Sequence, residues 1–248
     1  MRLLSICALL CILPAAAIAQ KPSKPRQGTV PDLSTSSAGV LDLANRLMSK
    51  DAKVRAGAEA ALVKGAAQSL PVIRRLLNRG NPGNEELDLR TFEIIRRIGP
   101  PAIPLLVELL RHEQVFFRRN AADCLIDLAP DTQWIQPALR RALRDEDAMV
   151  AGDAARALGA LGPKASPSVR ALVTTLSHED PYVRVYAAEA LATIGPRAGV
   201  AATDLGKALD DPVAGVRWAA GTGSLKALAR SLAAASACGP MEANASAA

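Results

Sequence analysis

The chain has 248 residues, half of them hydrophobic, with a net charge of +6 and only 3% aromatic residues. A conventional globular core of this size uses more large side chains, so the composition excludes an aromatic-rich core and favours thin layers of leucine, valine and alanine. The positive balance admits acidic proteins, anionic glycans, headgroups or nucleic acid as partners and selects none of them.

The N-terminus reads first. Met1-Arg2 gives a positive start, Leu3 to Leu13 an apolar stretch, and Ala17-Ile18-Ala19 a small-x-small processing site before Gln20. Residues 1–19 are therefore expected to be a secretory signal peptide. The apolar stretch falls short of the ~20 residues a spanning helix requires. An exported protein, periplasmic or secreted, with no membrane span after cleavage is the expectation. Residues 20–38, rich in lysine, proline, serine and threonine, are expected to form a flexible leader.

Residues 39–228 carry an internal repeat of 33 residues, seen at Leu110, Leu143, Leu176 and Leu209 and again at Leu106, Leu139, Leu172 and Leu205. A companion series runs through Val54, Leu87, Phe117, Val150, Val183 and Val216, with one step shortened to 30. Such a period specifies an array of stacked supersecondary units. In the best-formed unit, Val169, Leu172, Val173 and Leu176 mark one apolar helix face. Asp180-Pro181 supplies an N-cap and a proline at the first helical position. A second stripe follows at Val183, Ala187, Ala190, Leu191 and Ile194, and Gly195-Pro196 stops it. The stop repeats at Gly99-Pro100 and Gly162-Pro163.

The pattern predicts an all-α fold, an α-solenoid of about six helical hairpins over 39–66, 69–100, 101–130, 133–163, 166–196 and 199–228. Alanine pairs at 121–122, 154–155 and 187–188 are expected to let neighbouring second helices approach closely. The second unit has a longer inter-helix loop, Asn78 to Glu86. Beyond the array, residues 229–248 form an alanine- and serine-rich tail without the polar cap such arrays normally carry.

The run Asp180-Pro-Tyr-Val-Arg184 followed by Ala187-Ala-Glu-Ala-Leu191 and Ile194-Gly195, with echoes at Asp51-Ala-Lys-Val-Arg55 and Val216-Arg217, resembles HEAT-like repeats of the short form found in phycobilin lyase-type and related bacterial scaffold proteins. The resemblance implies that Arg55, Arg118, Arg184 and Arg217 pair with acidic or carbonyl groups at the adjoining turn. Asp88 and Ala151 interrupt that arginine series. Fold resemblance of this kind says little about function, since the family includes enzymes as well as binding scaffolds.

No catalytic constellation emerges. His112 and His178 occupy the same turn two units apart, on the order of 20 Å by the usual helix spacing, too far to share a metal or a proton. Cys124 sits where other units have Ala157 and Ala190 and reads as a small buried hydrophobe; no disulfide with Cys238 is expected. The sequence lacks HExxH, GxSxG, CxxC and Gly-rich phosphate motifs. No catalytic residue, cofactor or metal is therefore assigned.

The leading expectation is a non-enzymatic scaffold that binds another protein. By resemblance its second helices line the concave side and expose Arg119, Asp123, Arg156, Tyr182, Val185, Tyr186 and Glu189, with Arg118 beside them. Tyr182 and Tyr186 are the expected contact anchors, because tyrosine offers a large amphipathic surface at low entropic cost. The alternative is an anionic-polymer binder using a stripe of the pairs Arg74-Arg75, Arg96-Arg97, Arg118-Arg119 and Arg140-Arg141, joined by Arg79, Arg111 and Arg144. Phycobilin lyase and DNA glycosylase activities rank lower, because export separates the chain from cytoplasmic pigment and DNA. The scattered Phe116, Phe117, Trp134, Tyr182, Tyr186 and Trp218 form no base-stacking platform, which disfavours nucleic acid.

Overall fold

A computed structural model describes residues 35–78, 84–128, 132–195 and 201–222. The expected signal peptide over 1–19, nearly all of the leader over 20–38, Arg79 and the tail over 229–248 lie outside the described residues. No described helix is long and apolar enough to cross a membrane.

The described residues form an all-α solenoid of six helical hairpins. Unit 1 pairs α1 (Ser37–Leu47) with α2 (Ala52–Gly65). Unit 2 pairs α3 (Leu70–Leu77) with α4 (Glu85–Ile98), and unit 3 pairs α5 (Ile103–Leu109) with α6 (Val115–Leu128). Unit 4 pairs α7 (Gln136–Ala142) with α8 (Ala148–Ala160), and unit 5 pairs α9 (Val169–Thr175) with α10 (Pro181–Ile194). Unit 6 joins α11 (Ala202–Ala208) to α12, helical over 214–222. The first helix starts at Ser37 because the Ser36 hydroxyl accepts from the Gly39 amide at 3.0 Å, which places the helix start just inside the expected leader.

Local chemistry sets the helix ends. Carboxylates of Asp51, Asp147 and Asp180 cap the second helices by accepting from Lys53, Val150 and Tyr182 amides at 2.8, 3.2 and 2.8 Å. Each cap satisfies a donor that the first helical turn leaves open. At the other end Gly99 and Gly195 take φ of 79° and 75°, a region closed to most side chains, and the chain turns sharply into the next unit. Short 3-10 segments at Ala66–Ser69, Pro100–Ala102, Gln133–Ile135 and Gly162–Ser168 then lead into α3, α5, α7 and α9. They shorten those first helices to 7 or 8 residues, against 13 or 14 in α2, α4, α6, α8 and α10.

The core follows the repeat columns. Leu106, Leu139, Leu172 and Leu205 are buried, as are Leu87, Phe117, Val150, Val183 and Val216. Each fully buried leucine removes enough apolar surface to contribute about 2 kcal/mol. All three alanine pairs are buried, and at Gly159 an added Cβ would sit 3.1 Å from the Ala190 Cα, so α8 and α10 approach at backbone range. Cys124 is buried and unpaired, and desolvation pushes its thiol up to about 12, which leaves it unreactive near neutral pH.

Candidate functional site

The outward face of the second helices is built from columns that step by one unit. Phe116, Met149 and Tyr182 form one; Arg119, Gly152, Val185 and Trp218 form the next; Asn120, Asp153 and Tyr186 form a third. These residues lie on α6, α8, α10 and α12, so the solenoid turns a sequence period into a continuous surface.

Around units 4 and 5 the face is organised by a buried carboxylate. Asp153, 4% exposed, accepts from the Tyr182 hydroxyl at 2.9 Å and from Arg156 Nη1 at 3.1 Å. Burial raises the Asp153 carboxyl above its usual value, partly offset by those two donors. Burial and the bond to Asp153 together push the Tyr182 phenol up to about 12. The Tyr182 ring lies over Gly152, where an added Cβ would meet ring carbons at 2.2 and 2.4 Å. Tyr182 and Tyr186 meet edge to face at 4.6 Å, and the Arg156 guanidinium stands 5.0 Å from the centre of the Tyr186 ring.

Farther toward the N-terminus the same face is charged and internally neutralised. Arg96 on α4 donates to both Asp123 and Asp127 on α6. Arg119 Nε donates to Asp147 at 2.8 Å, and that contact holds the Asp147 carboxyl below its usual value. Arg97 bonds Glu59 at 3.0 Å.

The expected contact residues thus separate into two groups. Tyr182, Val185, Tyr186 and Glu189 are half-buried on α10, and Arg156 is half-buried on α8. Arg118 does not belong to a contact surface. It is 8% exposed, and its guanidinium donates to the carbonyls of His112 and Glu113 at 3.1 and 2.9 Å and to Asp145 and Glu146 at 3.0 and 2.9 Å. Asp123 and Arg119 are occupied by cross-unit ion pairs. Sequence reasoning passed over Asp153, Gly152 and Met149, and it gave Trp218 no role on this face; the one signal for all four is their place in the columns of Tyr186, Val185 and Tyr182.

The arginine series implied at the turns is present. Arg55 donates to the carbonyls of Ser49 and Lys50, Arg184 to those of His178 and Glu179, and Arg217 to those of Asp211 and Pro212. Arg118 and Arg184 also reach forward to Asp145 and Asp211 in the next turn. The four equivalent turn residues, His112, Asp145, His178 and Asp211, all accept from the amide two residues on, at 3.1, 3.1, 3.0 and 2.8 Å. In units 3 to 6, aspartate stands where the preceding unit offers an arginine. Histidine stands where it offers Asp88 or Ala151.

The expected basic stripe is broken up by these contacts. Arg74 pairs with Glu108, Arg75 donates to the Thr35 carbonyl, and Arg140 donates to the Pro167 carbonyl at 3.2 Å. Together with the pairs of Arg96, Arg97, Arg118 and Arg119, these contacts tie neighbouring units together, whereas Arg111, Arg141 and Arg144 of the expected stripe stay exposed.

Residues 136–229 match the family model for HEAT repeats. Similar solved structures include an engineered protein at 21% identity, covering 77% of this chain and 96% of that chain with a TM-score of 0.48. A second engineered protein shows 21% identity over 77% of this chain and 98% of that chain, TM-score 0.47. A designed armadillo repeat protein shows 18% identity over 76% and 99%, TM-score 0.45. No curated protein sequence matches the chain. The match to HEAT repeats falls on units 4 to 6.

Proposed function

We infer that this chain is a non-enzymatic scaffold that holds another protein against the second-helix face of units 4 to 6. The observation that carries the reading is Trp218, 66% exposed on α12, one repeat on from half-buried Val185, which lies between Tyr182 and Tyr186 in α10. Met149, 42% exposed, continues the apolar face onto α8. A large indole left in water, one unit on from Tyr182 held by Asp153 and Gly152 and Tyr186 held by Tyr182 and Arg156, is the composition of an interface anchor. Pre-organised aromatics lose little entropy on contact, which favours binding per area buried.

The N-terminal pattern of residues 1–19 supports placing this scaffold in the cell envelope or outside the cell. Photocrosslinking in the native host tests the reading. Probes replacing Trp218 and Met149 are expected to trap one common protein, while a probe at exposed Arg170, on first helix α9, traps none. Equal trapping from Arg170, or none from Trp218 and Met149, contradicts it.

A further inference from the structure

Most described arginines of the array are bonded to neighbours; Arg111, Arg141, Arg144 and the isolated Arg170 are not. Among the described residues the guanidinium groups of Arg111, Arg141 and Arg144 make no hydrogen bond or ion pair, and all three are exposed. They border one cleft between units 3 and 4, about 410 Å³ in volume, with buried Leu110, Ala138 and Ala142 on its floor. The cleft also contains Arg118, Asp145 and Glu146, already bonded to each other. Four guanidinium groups against two carboxylates leave a charge of +2 there.

The fold does not require these arginines. A cation near a helix C-terminus is favourable in general, and that alone would explain an arginine after α5 and α7. The same turn position in units 5 and 6, however, carries Ser177 and Asp210, and those turns keep the same backbone hydrogen bonds, Ser177 to the Thr174 carbonyl and Asp210 to the Lys207 carbonyl. Arg141 falls in a column with Arg75, Glu108, Thr174 and Lys207, of which Arg75 and Lys207 are bonded to Thr35 and Asp204. At these positions, unbonded positive charge is therefore confined to units 3 and 4 among the described residues.

We propose that this cleft is a second binding site that takes an acidic peptide segment. Three unpaired guanidinium groups can each present two parallel donors to a carboxylate, and the apolar floor suits the methylenes of glutamate side chains. The volume lies in the range of ligand sites, roughly 300–1,000 Å³, larger than one carboxylate fills. The larger groove toward unit 2, which Arg111 and Arg141 also border, carries Glu85, Asp88 and Glu113, with Glu108 paired to Arg74, and these carboxylates disfavour such a segment there.

Fluorescence anisotropy of a labelled hexaglutamate peptide with the full chain at low salt is the test. Binding is expected, weakening steeply as salt rises. Combined Arg111→Ser and Arg144→Ser, which install the unit 5 residue, weaken it by about tenfold, the sum of two exposed ion pairs, with an unchanged melting curve. Arg170→Ser and Trp218→Ala leave it unchanged, which separates this site from the second-helix face. Absence of hexaglutamate binding, or equal affinity in the double variant, overturns the proposal. Tighter binding of a sulfated oligosaccharide or of anionic lipid vesicles at the same arginines overturns the peptide assignment.

Discussion

The boundary between units 4 and 5 and the two boundaries that flank it hold the same geometry by different chemistry. Between units 3 and 4, and again between units 5 and 6, an arginine on the second helix closes its own turn and bonds the aspartate of the next. Between units 4 and 5 the arginine is replaced by buried Ala151 and the aspartate by His178. There the contact rests on glycine: Gly159 lets the Ala190 backbone approach, and Gly152 seats the Tyr182 ring, whose hydroxyl bonds Asp153. A repeat period thus fixes where units meet and leaves open what joins them. The boundary joined without the arginine is also the one that carries the tyrosine pair proposed to meet a partner.

Removing a clamp gives the largest expected effect. Arg118→Ala strands Asp145 beside two uncapped carbonyls and lowers stability by about 3 kcal/mol, the usual cost of breaking a buried pair on one side, read as a shift of the denaturant midpoint at constant slope. At the packed boundary, Gly152→Val displaces the Tyr182 ring and costs about 1–3 kcal/mol as overpacking. It also changes the near-ultraviolet signal of the tyrosines, which Arg118→Ala leaves intact.

Acid sharpens the contrast. Arg184 holds Asp211 below the usual carboxylate value, and Arg119 does the same for Asp147. Lowered folded values mean that this stability is fully present above the unfolded carboxylate pKa of about 4 and is lost as pH falls through the folded values. Asp153 has the opposite sign: its raised value means a contribution present below about 4 and lost as pH rises through the folded value. Urea midpoints between pH 7 and 3 are expected to fall in the wild type and to fall less in Asp211→Asn. The smallest effect is at Asp153→Asn, which keeps an acceptor for Tyr182 and relieves a buried charge; stability at pH 7 changes by less than about 1 kcal/mol.

Much of this fold was legible because leucine columns and Gly-Pro stops are local signals that recur. The 3-10 segments that shorten the first helices were not, since proline marks the start of a turn without fixing its hydrogen-bond spacing. For the site, legibility failed across units. Arg118 meets Asp145, and Arg74 meets Glu108, at separations of 27 and 34 residues, so a run of basic pairs looked like an open stripe. Asp153 drew no reading from the sequence, and only its column with Tyr186, combined with Gly152 opposite Tyr182, shows why it is buried. The arginine–turn contacts were anticipated only through the resemblance to HEAT-like repeats; the alternation of histidine with aspartate needed the forward reach of each arginine to make sense.

The rule that a turn takes aspartate only when the preceding unit supplies an arginine is tested most directly by installing the missing clamp between units 4 and 5. A thermodynamic cycle of Ala151→Arg, His178→Asp and their combination measures it by urea unfolding. The account predicts that the combined variant is more stable than the sum of the single changes by about 1 kcal/mol or more. Strict additivity would show that the aspartates at 145 and 211 are turn caps whose bonds to arginine are incidental.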